Sequence, residues 1–457
     1  MIKDLIQSGL EFGADFVDVF REENRRAVLS LKDSKVESVS AGTDFGYGIR
    51  MIRGDQVLYV ESSKDDLDHL RRLMKNLAQA HDWSLPLGST PLVFSDSPQG
   101  TGEHVKIWPA QYGQGPKRDY CLRADQAARQ VSANIRQVSV SALDETQQVL
   151  IANSEGLWEE DCRVRCRMSI SVTAGDGKEL ASGSETPGAM EGMEFFEQLD
   201  IESLARQAAE RALLMLGAGY IEGGQMPVII GHGFGGVIFH EACGHPLETE
   251  SIRRKASPFV GKLNQLIAHP CLTAIDDGTL KGRWGSLRID DEGRPTQRTV
   301  LIENGILKNY LSDRIGSRQC GVPLTGSARR ESFRYAPVAR MRNTFIARGQ
   351  DDLNSMLNSA GEGLYAKVMG GGSVNPATGE FNFSVQEGYR IRGGKIAEPV
   401  RGATLIGKGC EIMPKISMVG NDLEHSAGMC GSSSGSVPVT VGQPTIKVDN
   451  ILVGGRA

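Results

Sequence analysis

Hydrophobic and polar positions recur with two different periods in the first half of the chain. A helical period predicts helices at 2–12, 64–81, 118–135 and 198–216. Strict alternation, as in the runs GYGIRMI and CRVRCRMSISVTA, predicts short β-strands between these helices. Residues 83–115 are rich in Pro, Gly and Ser and are interpreted as a long connection. We therefore predict an N-terminal α/β domain with antiparallel strands over residues 1–220.

The pattern changes after a glycine-rich segment at 217–227, which we interpret as a domain boundary. Beyond it, most runs are short alternations separated by Gly, Asn, Asp or Pro. Two turn dipeptides between apolar alternations predict β-hairpins, at Asn304-Gly305 and Gly393-Gly394. The chain is thus predicted to have an α+β fold, in which residues 225–457 form a mainly antiparallel, barrel-like β domain.

Composition and charge narrow the class of protein. Of the 457 residues, 40% are hydrophobic and 23% are charged, as in ordinary globular proteins. The formal net charge of −5 argues against a general attraction to nucleic acid. No run approaches the roughly 20 apolar residues that span a membrane, and the start of the chain lacks the apolar centre of a signal peptide. We expect a cytoplasmic protein.

The eight cysteines are scattered along the chain without the spacing of a disulfide framework. In a reducing compartment they are expected to remain thiols. Cys162 and Cys166 have CxxxC spacing, but they share one face of a predicted strand. We interpret this pair as core residues rather than as metal ligands.

Two motifs overlap in the segment VIIGHGFGGVIFHEACGHPLETE, which begins at Val228. Gly231, Gly233 and Gly236 spell GxGxxG after a strand-like run, as in a dinucleotide-binding turn. That motif requires a longer helix and a buried second strand, whereas Pro246 ends this helix early and a charged segment follows. We therefore interpret the glycines as positions where the backbone packs closely at the helix entry.

The second motif, HExxxH, consists of His240, Glu241 and His245, and it indicates a metal site with a carboxylate beside it. In a regular helix, five steps of about 100° leave the second imidazole roughly 140° away from the first. Either a π-type widening or a break at Gly244 and Pro246 brings the two imidazoles together. The alternative interpretation is two unrelated histidines in a buried helix.

A catalytic zinc needs a third protein ligand, and spacing alone does not choose it. The candidates are Glu248, Glu250, Asp276, Asp277, Cys410, Asp422, His425 and Cys430. Cys430 lies in AGMCGSSSG, a run typical of turns. There a thiol either projects into a cleft or is simply a small buried side chain.

Several long segments resemble a known family. HEACGHPLE, GATLIGKG and ISMVGNDLEHSAGMCG occur in the order found in the TldD/PmbA family of metalloproteases. The chain resembles the TldD branch over most of residues 225–457, and the TldE/PmbA branch lacks the metal motif. The resemblance implies that His240, His245 and Cys430 bind Zn²⁺. Pro246 departs from the family pattern, in which a small residue is expected.

The resemblance also implies an activity and partners. The expected enzyme is a zinc-dependent metalloprotease that hydrolyses unfolded or flexible peptides, to trim leader segments or to degrade them, with Glu241 as general base. The expected partners are peptide substrates and either a TldE/PmbA-type paralogue, in a heterodimer, or a second copy, in a homodimer. The competing hypothesis is a non-catalytic subunit or regulatory scaffold with a structural zinc, active only within a paralogue complex.

Two further segments have functional and ordinary interpretations. Gly370–Gly372 allows close approach of a peptide backbone, but a plain turn is the preferred interpretation. Six arginines lie between Arg329 and Arg348, at positions 329, 330, 334, 340, 342 and 348. They suit a substrate carboxylate or nucleic acid, but a solvated strand face is the more common explanation of such a run. The acidic net charge makes nucleic acid an unexpected partner.

Overall fold

The first half of the chain forms one antiparallel sheet with helices against it. The computed structural model describes residues 1–83, 92–94, 100, 102, 104–375 and 378–456. In chain order the elements are α1 (Ile2–Glu11), β1 (Phe16–Lys32), β2 (Lys35–Arg53), β3 (Gln56–Ser62), α2 (Leu67–Ala80), α3 (Gln114–Val131), β4 (Ile135–Asn153), β5 (Trp158–Gly175), β6 (Leu180–Glu185), β7 (Gly188–Ala189), α4 (Glu194–Gln198) and α5 (Ile201–Leu216). Within these described residues the strands pair in the order β3-β2-β1-β4-β5-β6, with β7 beside β5.

The strands of this sheet are longer than the sequence pattern predicted. DFVDVFR and RAVLSLK, which have the alternation of two short strands, form the single strand β1, because the polar residues between them stay extended and pair with β2 and β4. One apolar cluster packs α1 and α2 against β1–β3, and another packs α3 and α5 against β4 and β5. Cys162 and Cys166 are buried in β5, as predicted for core residues. The predicted connection at 83–115 lies partly outside the described residues.

The second half of the chain is mainly β-structure with short helices. Its elements are β8 (Gly219–Tyr220), β9 (Gly224–Ile230), α6 (Val237–Phe239), α7 (Thr249–Arg253), β10 (Ala274–Asp277), β11 (Arg298–Glu303), β12 (Ile306–Leu307), α8 (Arg314–Cys320), β13 (Ala328–Arg329), β14 (Val338–Ala339), β15 (Asn343–Ile346), α9 (Leu353–Ala360), β16 (Gly363–Asn375), β17 (Glu380–Arg392), β18 (Lys395–Arg401), β19 (Thr404–Lys408), α10 (Gly409–Ile412), β20 (Ile416–Val419), β21 (Glu424–Ser432), β22 (Gly435–Gln443) and β23 (Ile446–Gly454). The predicted α+β fold is confirmed.

Among the described residues, two large sheets and the two-stranded sheet β13-β14 build this half of the molecule. Strands β16, β9, β23, β19 and β17 close into a barrel, because β16 also pairs with β17. The predicted barrel-like architecture is therefore confirmed. The second sheet has the order β12-β11-β10-β15-β22-β21, so β21 lies at its edge. Most pairings are antiparallel, and parallel pairs join β16 to β9 and β15 to β22.

Both predicted hairpin turns are present. Asn304 and Gly305 connect β11 to β12 with positive φ angles of 49° and 80°. Gly393 and Gly394 connect β17 to β18, again with positive φ at both positions. Positive φ at two consecutive turn residues matches the twist of the flanking strands and favours Asn and Gly.

The preferred interpretation of the arginine segment is wrong. Arg329, Arg330, Arg340 and Arg342 are at most 4% exposed, so most of the segment is no solvated strand face. The segment lies against the N-terminal sheet, where Arg330 covers the ring of Phe20 at 4.3 Å. Only the arginines at 334 and 348 are exposed.

Gly370–Gly372 is not a turn either. The three glycines belong to β16, whose register with β17 is irregular between Met369 and Gly372. A side chain on Gly372 would collide with the carbonyl oxygen of Asn382 at 2.0 Å, whereas no atom lies within 4 Å of the corresponding position on Gly371. The glycines therefore form a bulged strand.

In the part of the chain that the structure describes, no helix is long and apolar enough to cross a membrane.

Candidate metal centre

The HExxxH segment folds as an irregular helix. Three α-helical residues, Val237–Phe239, precede a π-helical turn at His240–Gly244 and a 3-10 turn at His245–Leu247. The wider π turn places residues five apart on one face. It is the first of the two irregularities that the spacing predicted. Pro246 lies in the 3-10 turn, where the chain leaves the helix.

Glycines let this helix pack closely, as predicted. A Cβ atom on Gly236 would lie 2.6 Å from the carbonyl carbon of Gly442. On Gly244 it would lie 2.1 Å from the sulfur of Met341. Such distances are far below van der Waals contact, so a larger residue would push the helix away from β22 at Gly236 and would force the helix or the Met341 side chain to move at Gly244.

Two imidazoles and one thiol converge beside the π turn. Cys430 Sγ lies 3.2 Å from His240 Nε2 and 3.2 Å from His245 Nε2. The three ligand atoms lie within 4.8 Å of one another, and all three residues are buried. Tetrahedral zinc with Zn–N of about 2.0 Å and Zn–S of about 2.3 Å holds its N and S ligands roughly 3.5 Å apart. The spacing therefore suits one zinc-sized cation.

The structure corrects the expected setting of Cys430. The residue lies inside the edge strand β21, not in a turn, and the turn follows it between Ser432 and Gly435. Strand alternation directs Cys430 towards the helix together with Val437 and Val439, whereas Met429 is exposed on the opposite face. A strand fixes the thiol more firmly than a turn would.

Buried Arg340 holds this strand in place. Its guanidinium donates hydrogen bonds to the carbonyl oxygen of Cys430 and, at 3.0 Å each, to Ser434 Oγ and the carbonyl oxygen of Gly435. Its Nε lies 4.0 Å from the carboxylate of Glu248. One arginine thus links the thiol-bearing strand, the hairpin turn and the helical segment.

Charges in the site favour a thiolate. Although burial opposes ionisation, the imidazoles of His240 and His245 hold the pKa of the Cys430 thiol well below its ordinary value. Burial likewise opposes protonation of His245, but Glu248 and Cys430 raise its pKa well above the usual range. Metal binding requires a thiolate and neutral imidazoles, so a cation entering this site displaces a proton from His245.

Glu248 orients one imidazole rather than joining the cluster. Its Oε2 lies 3.0 Å from His245 Nδ1, and its Oε1 accepts a hydrogen bond from the backbone N–H of Met341 at 3.3 Å. A hydrogen bond at Nδ1 leaves the Nε2 lone pair free for a metal. On the other imidazole, His240 Nδ1 is buried and has no hydrogen-bond partner among the residues described.

The other third-ligand candidates have different partners or positions. Glu250 pairs with Arg253 and Arg254, and Asp276 pairs with Arg342. Asp277 accepts a hydrogen bond from Thr279, and Asp422 accepts one from Thr445. Cys410 is exposed, and the ring of His425 packs against that of Phe345. Among the described residues, the one cluster of at least three metal-binding side chains is that of His240, His245 and Cys430.

Glu241 stands at the more open side of the site. Its Oε2 lies 3.7 Å from His245 Nε2, and its side chain is 22% exposed, against 10% for His245. The carboxylate therefore lies beside one of the three candidate ligand atoms while remaining accessible to solvent.

Comparison with known proteins identifies the family. The model of the PmbA/TldA metallopeptidase C-terminal domain matches residues 223–455, and those of the central domain and domain 1 match 109–216 and 17–80. The chain belongs to the TldD/PmbA family of metallopeptidases. A "Metalloprotease TldD homolog" of Buchnera aphidicola subsp. Acyrthosiphon pisum (strain APS) is 36% identical over 451 residues, covering 96% of this chain and 93% of the relative. The resemblance read from the sequence is confirmed.

More distant TldD/PmbA relatives extend the likeness over the whole chain. A "Zinc metalloprotease TldD homolog" of Saccharolobus solfataricus (strain ATCC 35092 / DSM 1617 / JCM 11322 / P2) is 28% identical and covers 98% of this chain and 99% of its own length. The crystal structure of TldE from Thermococcus kodakarensis superposes with a TM-score of 0.76 at 19% identity, covering 99% of both chains. At that identity, the structural likeness supports the fold alone.

Sequence reasoning missed two residues that surround the cluster. Glu248 was considered only as a ligand, although it follows His245 by three residues and lies at the end of the 3-10 turn that begins at this histidine. Arg340 was attributed to a solvated strand. Arg340 and Cys430 are 90 positions apart in the sequence, so no pattern within either segment indicates that they are in contact.

Proposed function

We propose that this chain is a zinc-dependent peptidase acting on unfolded or flexible peptides, in leader trimming or in peptide degradation. His240, His245 and Cys430 are the proposed zinc ligands, and Glu241 is the proposed general base. The observation that carries this proposal is the convergence of two Nε2 atoms and one Sγ atom within 4.8 Å, beside an accessible carboxylate.

The donor set fits an open zinc site. Catalytic zinc is commonly held by three protein ligands, whereas structural zinc usually has four and is closed. Zinc bound here would supply Lewis-acid chemistry, polarising a peptide carbonyl and lowering the pKa of water. The pairing of His245 with Glu248 at 3.0 Å suits a metal-binding imidazole, because it fixes the tautomer and raises the basicity of Nε2.

Glu241 is suited to proton transfer. It accepts the proton of the attacking water and passes it to the departing amine, the role of a general base that becomes a general acid. Its partial exposure gives it access to water, and its 3.7 Å distance from His245 Nε2 keeps it close to the cluster. Glu248 is buried and bonded on both oxygens, so it holds His245 and takes no part in this transfer.

An open cavity beside the helix entry suits an extended peptide. Its volume is about 960 Å³, and its walls include Phe234 at the helix entry, Ser426 of β21, and the bulge at Gly370 and Gly371. Because Gly371 has free space where a side chain would stand, a peptide backbone can approach the bulged strand closely. None of the proposed zinc ligands lines this cavity, so we propose it only as a place where an extended substrate approaches the site.

The alternative is a non-catalytic subunit with a structural zinc that is active only beside a paralogue. In either case the chain has the fold that TldE from Thermococcus kodakarensis also has. We propose a TldE/PmbA-type paralogue as partner, or a second copy of this chain, in the cytoplasm, where a reducing environment keeps the Cys430 thiol available. Accessible Glu241 favours the catalytic role for this chain within either assembly.

Two substitutions test the proposal. Glu241→Gln should retain zinc and lose roughly 10²–10⁴-fold in cleavage of an unstructured peptide. Cys430→Ser should lose zinc, whereas Cys410→Ser, which alters an exposed thiol outside the cluster, should keep it. Metal content and cleavage are measured on the chain alone and with its co-purified partner. Full activity of Glu241→Gln, or full zinc in Cys430→Ser, contradicts the assignment.

A further inference from the structure

A second large cavity lies between the N-terminal sheet and the β21–β22 hairpin. Its volume is about 1030 Å³. Seven arginines line it against four carboxylates, so positive charge is in excess. Its walls include strands β1, β2, β4 and β5 as well as the segment around Arg329 that the sequence pattern had assigned to a solvated face. None of the proposed zinc ligands lines this cavity.

Five of these arginines have no ion pair with a carboxylate among the described residues, and Arg165, Arg167 and Arg329 are three of the five. Arg165 donates only to backbone carbonyls, those of Trp284 at 3.2 Å and Ser286 at 3.4 Å. Arg329 donates to the carbonyl of Met341 at 2.8 Å. Arg167 stacks over the ring of Trp284 at 5.6 Å, and its buried Nε has no partner.

The neighbouring carboxylates are already engaged. Asp291 pairs with Arg163 at 2.7 Å and accepts a hydrogen bond from the backbone N–H of Arg330, while Asp44 pairs with Arg334. Burial lowers the pKa of Arg165 to about 10 and that of Arg329 to about 9. Glu145 and Asp291 offset only part of this effect for Arg165, as Asp291 does for Arg329. Burying an unpaired guanidinium is costly unless an anion joins it.

We propose that Arg165, Arg167 and Arg329 form an oxyanion-binding site that takes a carboxylate or phosphate group. Guanidinium groups recognise such groups through paired N–H donors, and the bonds are strong because both partners are charged. Arg165 and Arg329 are at most 3% exposed, so their fixed side chains lose little freedom on binding.

The hairpin connects this cavity to the proposed zinc site. Met429 and Pro438 line the cavity, whereas their neighbours Cys430 and Val437 face the helix. A peptide that crosses the hairpin can therefore present an acidic side chain or its terminal carboxylate to the arginines. This choice of ligand rests on the proposed peptidase function, whereas the oxyanion site itself does not.

Inorganic phosphate tests the site independently of activity. Thermal unfolding of the full-length chain is followed in phosphate and in chloride at matched ionic strength, and phosphate affinity is titrated. Phosphate should stabilise the wild type, and Arg165→Gln and the less buried Arg167→Gln should bind it about tenfold more weakly. The control is Arg25→Gln, which removes the same charge from an exposed arginine paired with Glu23 outside the cavity. It should behave as wild type.

Peptides distinguish the source of the oxyanion. Fluorescence anisotropy in a Glu241→Gln background compares peptides carrying Glu or Gln, and a free or an amidated C-terminus. If an acidic peptide binds more tightly than its neutral counterpart, and Arg167→Gln removes this difference, the oxyanion comes from the peptide substrate. Phosphate binding without a peptide preference supports a site for a free oxyanion. Equal phosphate and acidic-peptide binding in wild type, Arg165→Gln and Arg167→Gln overturns the proposal, whether or not the protein proves to be a peptidase.

Discussion

Replacing Glu248 by Gln tests how the cluster is held. The Glu248 side chain is 4% exposed, and its Oε2 lies 3.0 Å from His245 Nδ1. Glutamine keeps the size of the side chain and can still accept one hydrogen bond, but it removes the negative charge. His245 then keeps an acceptor at Nδ1 but loses the negative charge that fixes its orientation most firmly and raises its basicity.

The structure sets the expected size of this effect. A hydrogen bond to a charged group contributes about 1.5–3 kcal/mol, and each 1.4 kcal/mol is about tenfold in affinity. Zinc affinity should therefore fall roughly 10–100-fold, which agrees with the usual loss when the outer partner of a metal-binding histidine is removed. The loss should appear in metal affinity even where the fold is unchanged.

The assay is competition for zinc with a chromophoric chelator at fixed pH, with circular dichroism to check folding. The control is Glu250→Gln. It also removes one negative charge, two residues further along the chain, but Glu250 pairs with Arg253 and Arg254 and not with His245. It should bind zinc as the wild type does. Equal zinc affinity in wild type, Glu248→Gln and Glu250→Gln would refute the role assigned to Glu248.

Two further predictions concern stability. Gly244→Ala should lower the free energy of unfolding by about 1–3 kcal/mol, because the new methyl group meets Met341 Sδ at 2.1 Å; thermal unfolding measures this, and Gly115→Ala, with open space around it, should cause no such loss. Burial raises the pKa of Glu22 to about 7, above its unfolded value, so the unfolded chain releases this proton first and stability falls as pH rises towards 7. Urea unfolding of the metal-free protein at several pH values measures how the free energy of unfolding changes with pH. In Glu22→Gln this free energy should fall less steeply than in the wild type, by up to about 1.4 kcal/mol per pH unit, and an equal slope in the two proteins would contradict the role assigned to Glu22.

Patterns of residues that are close in sequence were enough to predict much of the fold and part of the candidate site. Asn304-Gly305 and Gly393-Gly394 specify their hairpins because few residues adopt two consecutive positive φ angles. The spacing of His240 and His245 required an irregular helix, and the structure has a π turn there. These predictions depend on residues close in sequence, where geometry leaves few alternatives.

The position of Cys430 depends on distant pairings instead. It lies 185 residues beyond His245, and its strand reaches the helix through the pairing of β21 with β22 and of β22 with β15. Spacing left eight candidates for the third ligand, and only the resemblance to TldD proteins singled out the cysteine. The turn expected from AGMCGSSSG is present between Ser432 and Gly435, but Cys430 precedes it, because pairing with β22 extends the first part of that run.

The buried arginines show the same limit. A run of charged residues predicts a solvated strand face when only that segment is considered. In the structure, Arg342 is buried and pairs with Asp276, which precedes it by 66 positions. Arg330 instead contacts Phe20 on the N-terminal sheet. Both contacts join residues that are distant in sequence, and periodicity within one segment does not encode such contacts.

X-ray absorption spectroscopy of the zinc-loaded protein tests the central claim most directly. The account predicts one sulfur ligand at about 2.3 Å and two imidazole nitrogens at about 2.0 Å, with the sulfur signal absent from residual metal in Cys430→Ser. A wild-type spectrum with nitrogen and oxygen ligands only, or with several sulfurs, would contradict it.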